Sequence, residues 1–403
     1  MKLTQVLCKQ NLGRMARFIW QVQRNRPIQL TRAEQILASM GFSVQDALEV
    51  VKPPKPCSEF DLPPIPPNPD FKEEICLTYK DTNLLQEGES QACLLTKTVK
   101  VDDEIPEKVK ALITDIPEHV DNLVKRITYT SSIFDPQQVK LPKLKDPNRP
   151  SWVFPRRYGI TSTRKMHNLS RKFLLLCESL CDPRIAQNRS MVFDEVLSTC
   201  IEKESDLLQF SLKMDLIMTS LMPLSPIADA NVDNGLDLPD IYPLHHTIGL
   251  TKSNIYKIED EYPINMSSAL MNSVHTIFIN YDPETTKNLT ELPTTQTQIY
   301  ARSLIESFTA AAVYARKKFG ANVKELPEPV VVQCVQSDGQ HFHFSVYQLN
   351  TLNIDGMEGI RNFWWSAPTI KLYETAQYED GIPCVEGYNN EVFKRFLAFY
   401  KNE

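Results

Sequence analysis

Residues 140–172, KLPKLKDPNRPSWVFPRRYGITSTRKMHNLSRK, carry ten cations and a single acid, Asp146. Trp152, Phe154 and Tyr158 are interleaved among the cations, and Thr161, Ser162 and Thr163 supply neutral hydroxyl donors. Prolines hold the first half of the segment extended. Cations spread along an extended chain neutralise phosphates, aromatic rings stack on bases or riboses, and hydroxyls add hydrogen bonds. These are the ingredients of an RNA contact, and the residues expected to make it are Lys140, Lys143, Lys145, Arg149, Trp152, Arg156, Arg157, Tyr158, Arg164, Lys165, Arg171 and Lys172. A solvated protein surface ordinarily mixes signs. Here the segment sums to +9, while the remaining chain after residue 33 sums to −22. An acidic body repels nucleic acid, so such a contact is local, anchored and salt-sensitive.

Other residues with chemical potential carry less. His341 and His343 lie on one face of an expected strand, as two metal ligands can, but no Cys, His or acid sits at a spacing that completes a tetrahedral set. His245 and His246 would face opposite ways in a strand and read as structural histidines. Gly356-Met357-Glu358-Gly359 has the spacing of a phosphate-gripping G-x-x-G loop, but Glu358 would repel phosphate, and the stretch reads as a turn. There is no G-x-G-x-x-G, G-x-x-x-x-G-K-[ST], G-x-S-x-G or H-E-x-x-H, so nucleotide-binding, hydrolase and zincin readings have no warrant. No catalytic residue, metal or cofactor is expected, and a metalloenzyme built on His341 and His343 is the remote alternative.

The elements that position the basic segment follow from the rest of the chain. Residues 1–33 hold seven Lys or Arg and no acid, with Val6, Leu7, Met15, Phe18, Ile19 and Val22 spaced for one helix. That is the composition of a mitochondrial transit peptide, or else of a basic tail that stays attached. Without it the chain has 37 basic and 50 acidic residues, a formal charge of −13. No apolar run reaches the roughly 18 to 20 residues of a membrane-spanning helix. The nine scattered cysteines form no C-x-x-C pair and suit reduced, buried thiols. A short helix is expected over 32–40, a second over 45–51, and then a run of eight prolines in residues 53–69 that excludes helix and central strand. The run reads equally as a spacer or, since Phe60, Leu62 and Ile65 supply apolar side chains, as an extension laid along a partner surface. Strands are expected at ICLTY and ACLLTKTVKV, helices at PEKVKALI, 169–180 and 192–201, a strand through Phe210–Leu216, and a long loop over 221–265. The C-terminal part is the most legible: Thr295 and Gln298 make a capping box for a helix that ends at Gly320, QSDGQ turns a hairpin of VVVQCV and HFHFSVYQL, and NEVFKRFLAFY is a final amphipathic helix. Helices interspersed with hairpins indicate a mixed α+β body.

Residues 327–363, PEPVVVQCVQSDGQHFHFSVYQLNTLNIDGMEGIRNF, closely resemble the family of mitochondrial large-ribosomal-subunit protein thirty-seven. Shared features are the PVVVQ strand, the DG turn, FHF, QLNT and a following EG-(basic)-N. Shorter islands agree in order: LTKT at 95–98, PEKV at 106–109, PLSPI at 223–227 and FLAFY at 396–400. The resemblance implies a mitochondrial matrix protein built into the large ribosomal subunit, contacting ribosomal RNA and neighbouring proteins. It also implies a paralogue catalogued as small-subunit protein thirty as a direct neighbour, possible as a heterodimer. It brings no enzymatic residues, no small-molecule substrate and no membrane, and an imported protein would account for the basic leader. The expected organisation is a leader or tail at 1–33, a helical and proline-rich extension at 34–70, and an α+β body at 71–403 that carries the RNA-contacting segment. A free mitochondrial RNA-binding adaptor is the alternative that composition leaves open.

Overall fold

A computed structural model describes residues 15–23, 30–45, 51, 74–143, 148–149, 151–229, 237–255, 260–264, 273–283, 285–288 and 292–403. The helix expected over 45–51 lies outside the described residues apart from its two end positions, and the proline-rich run lies wholly outside them. The chain divides into two compact units, Met1–Asn68 and Pro69–Glu403. In the first, residues 15–23 are helical, and helix α1 spans Arg32–Ser39. A capping box starts α1: Thr31 Oγ1 accepts from the Glu34 amide, and the Glu34 carboxylate accepts from the Thr31 amide.

The second unit is built on a ten-stranded mixed sheet of order β2-β11-β10-β9-β8-β6-β1-β7, with β12 added beside β10 and β5 beside β6. Its strands are β1 (Glu74–Lys80), β2 (Thr98–Asp102), β5 (Arg189–Lys203), β6 (Asp206–Ser220), β7 (Thr251–Ile255), β8 (Ser273–Asn280), β9 (Glu325–Ser337), β10 (His341–Thr351), β11 (Asn362–Ser366) and β12 (Ile370–Lys371). Two separate ribbons are formed by β3 (Val139–Lys140) with β4 (Tyr158–Gly159), and by β13 (Thr375–Glu379) with β14 (Ile382–Glu386). The helices of this unit are α2 (Gly88–Thr96), α3 (Glu107–Lys110), α4 (Glu118–Ser132), α5 (Ser162–Leu180), α6 (Pro183–Gln187), α7 (Gln296–Phe319) and α8 (Glu391–Lys401). Parallel pairs (β1/β6, β2/β11, β8/β9) mix with antiparallel hairpins, which makes the body α+β.

Both faces of the sheet are covered, which is why its central strands read as unbroken apolar runs. Val330, Val332 and Cys334 of β9, Tyr347 and Leu349 of β10 and Trp364 of β11 pack with α7 and α2. Their alternates Val331 and Val335, Phe342, Phe344 and Val346, and Phe363 and Trp365 pack with α4, α5 and α8. Strand period two therefore sends each side chain to one of two cores. Helix α7 is buried at Gln298 and continuously from Ala301 through Ala315, as an inner layer requires. It opens with the expected Thr295/Gln298 capping box and stops at Gly320, where φ is +115°. Inside it Arg302 and Glu306 form a buried ion pair, with Nε to Oε1 at 3.0 Å. Arg302 also donates to the carbonyls of Asn280 (2.6 Å) and Asp81 (3.2 Å). Burial pushes the Glu306 carboxyl up to about 8, against the pull of Arg302.

Four sequence expectations are corrected. Residues 192–201 form strand, not helix, because β5 pairs with β6 over nearly its whole length. Its residues 197–201 are buried on both faces, and the resulting apolar spacing mimics a helical period. ACLLTKTVKV is helix α2 followed by β2, split at Lys97, whose φ is +50°. A helix buried on most sides loses its periodicity, so the run reads as a strand. Helix α5 starts at Ser162 rather than Leu169, and so takes in the last part of the basic segment. The loop expected over 221–265 contains β7.

Candidate nucleic-acid interface

Helix α5 is the fixed base of the basic segment. Thr161 caps it, its Oγ1 accepting from the Arg164 amide at 3.3 Å. One face buries Met166, Leu169, Phe173, Leu174 and Cys177. Phe173 meets Phe393 and Phe396 of α8 edge-on, with centroids 5.3 and 5.5 Å apart. Such aromatic pairs add about 0.5–1.5 kcal/mol beyond their buried area, which anchors the helix to α8.

The cations of α5 serve the body. Arg164 makes a two-pronged bond to Asp135, from Nε at 2.6 Å and Nη2 at 2.9 Å. Asp135 is buried just beyond the end of α4, and it also accepts from Asn168 Nδ2 (2.8 Å) and the Gln137 amide (2.8 Å). The guanidinium and these donors hold its carboxyl down to about 2. Lys172 Nζ donates to Thr130 O at 3.2 Å, Thr130 Oγ1 at 3.0 Å and Ser131 Oγ at 3.2 Å, a cation on the negative end of the α4 dipole. Lys165 lies under the β9–β10 turn: a Cβ at Gly339 would stand 3.0 Å from Lys165 Cβ. Burial lowers the Lys165 pKa, while Asp338 pulls it up. Arg171 is exposed, and its guanidinium lies 5.8 Å from the Phe193 ring centroid.

The other expected residues stand on an arm. Its two legs join as a short ribbon, Val139 facing Gly159 and Lys140 facing Tyr158, extended by the Leu141 amide to Arg157 O at 3.0 Å. Gly159 permits this closeness, since a Cβ there would lie 2.9 Å from Leu141 Cδ1. Lys140, Lys143, Arg149, Arg156 and Arg157 are exposed, and none forms an ion pair with a described residue. Trp152 is 62% exposed, Val153 79% and Tyr158 66%. Exposed rings and exposed cations thus share one arm. Lys145 lies outside the described residues. The twelve expected residues thus divide: Lys140, Lys143, Arg149, Trp152, Arg156, Arg157 and Tyr158 share the arm, whereas Arg164, Lys165, Arg171 and Lys172 lie on α5.

Sequence reasoning missed the Asp135–Arg164 lock, because nothing local links a residue after one helix to the first turn of the next. The histidine readings also change. His341 pairs with Asp338 at 2.9 Å, while His343 is buried, stacks on Tyr300 at 4.3 Å and bonds Ser366 Oγ at 2.9 Å. Burial pulls the His343 ring down to about 3. No third ligand joins these two among the described residues. His245 and His246 are not in a strand; their rings lie together, centroids 4.1 Å apart.

Residues 284–403 match the family model described as Mitochondrial 28S ribosomal protein S30 (PDCD9). The chain is 28% identical over 361 residues to the Large ribosomal subunit protein mL37 of Bos taurus, covering 84% of this chain and 78% of the relative. The mL37 of Rattus norvegicus is 28% identical over 352 residues, with 84% and 77% covered. That of Gallus gallus is 27% identical over 353 residues, with 82% and 74% covered. The chain is thus similar to the large ribosomal subunit protein mL37 over most of its length, as the PVVVQ-to-EG stretch led one to expect.

Proposed function

We propose that the chain is a structural, non-enzymatic component of the mitochondrial large ribosomal subunit, whose acidic body packs on neighbouring ribosomal proteins while its arm reaches ribosomal RNA. The observation that carries this reading is the similarity over 84% of the chain to proteins named for the large ribosomal subunit. The arm supplies the mechanism. Five exposed cations and two exposed aromatic rings project from a body that otherwise repels phosphate, so protein contacts bring the arm to RNA and charge then fastens it.

The same reading gives the remaining segments their roles. Residues 1–33 act as the import leader, 34–70 as an extension along a partner surface, and 71–403 as the ribosomal body. A related chain of the S30 kind is proposed as a neighbour, with which this chain would form a heterodimer. The test is sedimentation of the endogenous protein in a mitochondrial lysate. It should travel with the large subunit, and a profile confined to the top of the gradient overturns the proposal.

A further inference from the structure

Strands β5 and β6 are joined by a tight turn in which Lys203 pairs with Asp206 and Glu204 adopts φ +56°. A non-glycine residue pays for that left-handed conformation, and such outliers collect where a side chain has a task. The Glu204 amide donates to Asp355 Oδ1 at 2.6 Å, which fixes the turn. Beside it runs the irregular segment 241–250, folded by short turns such as Ile248 N to His245 O at 3.0 Å. Its backbone is tied to α2 by Gln91 Nε2, which donates to the carbonyls of His246 and Ile248, each at 2.8 Å.

That arrangement brings three donors together. A carboxylate oxygen of Glu204 and one ring nitrogen each of His245 and His246 lie within 4.8 Å of one another. His246 Nε2 is buried and has no hydrogen-bond partner among the described residues. His245 Nδ1 lies 2.8 Å from Thr247 Oγ1 and accepts from the Thr247 amide at 3.4 Å, and these contacts orient the ring. Lys203 is turned away, its Nζ donating to Leu94 O (2.8 Å) and Ile354 O (2.7 Å).

We propose that Glu204, His245 and His246 form an open zinc site that ties segment 241–250 to the β5–β6 turn, with solvent as the fourth ligand. Two imidazoles and one carboxylate are a zinc donor set, and zinc accepts it tetrahedrally without a fixed geometric preference. The exposed side of the cluster leaves room for the water. This inference does not depend on the ribosomal reading.

The test uses the full chain, freed of metal with a chelator and titrated with zinc alone against a competing zinc indicator. One zinc per chain is expected. Glu204→Gly, which also removes the positive-φ cost, and His246→Ala should each weaken binding by more than about 100-fold, beyond what loss of an orienting partner costs. Metal-free Glu204→Gly should melt no lower than the metal-free parent, yet lose the zinc-induced rise in melting temperature. Cobalt(II) in the same site should show visible bands without a thiolate charge-transfer band, which separates it from binding by cysteines. Zinc affinity unchanged in both variants, or a thiolate band, overturns the proposal.

Discussion

Replacing Lys140, Lys143, Arg149, Arg156 and Arg157 together by Gln should abolish the salt sensitivity of the arm without harming the body. All five side chains are exposed and none is ion-paired to a described residue, so the melting temperature should barely move, the cost staying within about 0.5 kcal/mol per site. If each cation meets one phosphate of unpaired RNA, log affinity falls with log salt at a slope of about −3.5. Moving from about 50 to about 200 mM salt then weakens the parent by roughly 100-fold. The assay is rebinding of labelled chain to large subunits depleted of it, at several salt concentrations. The variant should bind more weakly at the lowest salt and with a nearly flat slope, since protein contacts remain. A variant that keeps the slope of the parent would show that these cations meet no phosphate, and the arm would have to be reassigned to protein contact.

Other perturbations separate contact from architecture. Trp152→Ala should weaken the same rebinding by about 1–3 kcal/mol, the value of one stacked base, while leaving the salt slope intact; an altered slope would argue against stacking. Arg164→Ala should lower the melting temperature rather than the slope, because it strands buried Asp135. The folded-state carboxyl of Asp135 is depressed to about 2, so its contribution is complete above the ordinary Asp range near 4 and vanishes as pH falls toward 2. Acid titration of stability should therefore show that loss in the parent and a smaller one in Arg164→Ala. Phe308→Ala, in the fully buried middle of α7 and edge-on to Phe210 at 5.5 Å, should cost about 3–5 kcal/mol in denaturant unfolding. Arg302→Met should cost about 1–3 kcal/mol per stranded group by leaving the Asn280 and Asp81 carbonyls without their donor. Glu306→Gln should cost less, because Arg302 keeps the Asn280 and Asp81 carbonyls.

The C-terminal half of the fold was legible because its signals are local. The Thr295/Gln298 box, Gly320, the Asp338-Gly339 turn and the final amphipathic helix each fix one element from a few neighbouring residues. The misread elements are those whose identity depends on what covers them. Strand β5 and helix α2 are apolar on more than one side because the body encloses them, and their spacing then carries the wrong period or none. The basic segment was legible as charge but not as geometry. Composition counts Arg164 and Arg156 alike, whereas the fold gives one a buried carboxylate and leaves the other in water. That distinction depends on where α4 ends, a tertiary fact.

The outermost strand β2 is made early in the chain, yet among the described residues its sheet neighbour is β11, with Thr98 beside Asn362 and Val99 beside Phe363. Until the later segment is available, Thr98–Asp102 is a bare strand edge, open to pairing with any other extended chain. In a product cut short before β11, the shortness of this strand and its Lys100 and Asp102 charges are what is left to blunt that edge.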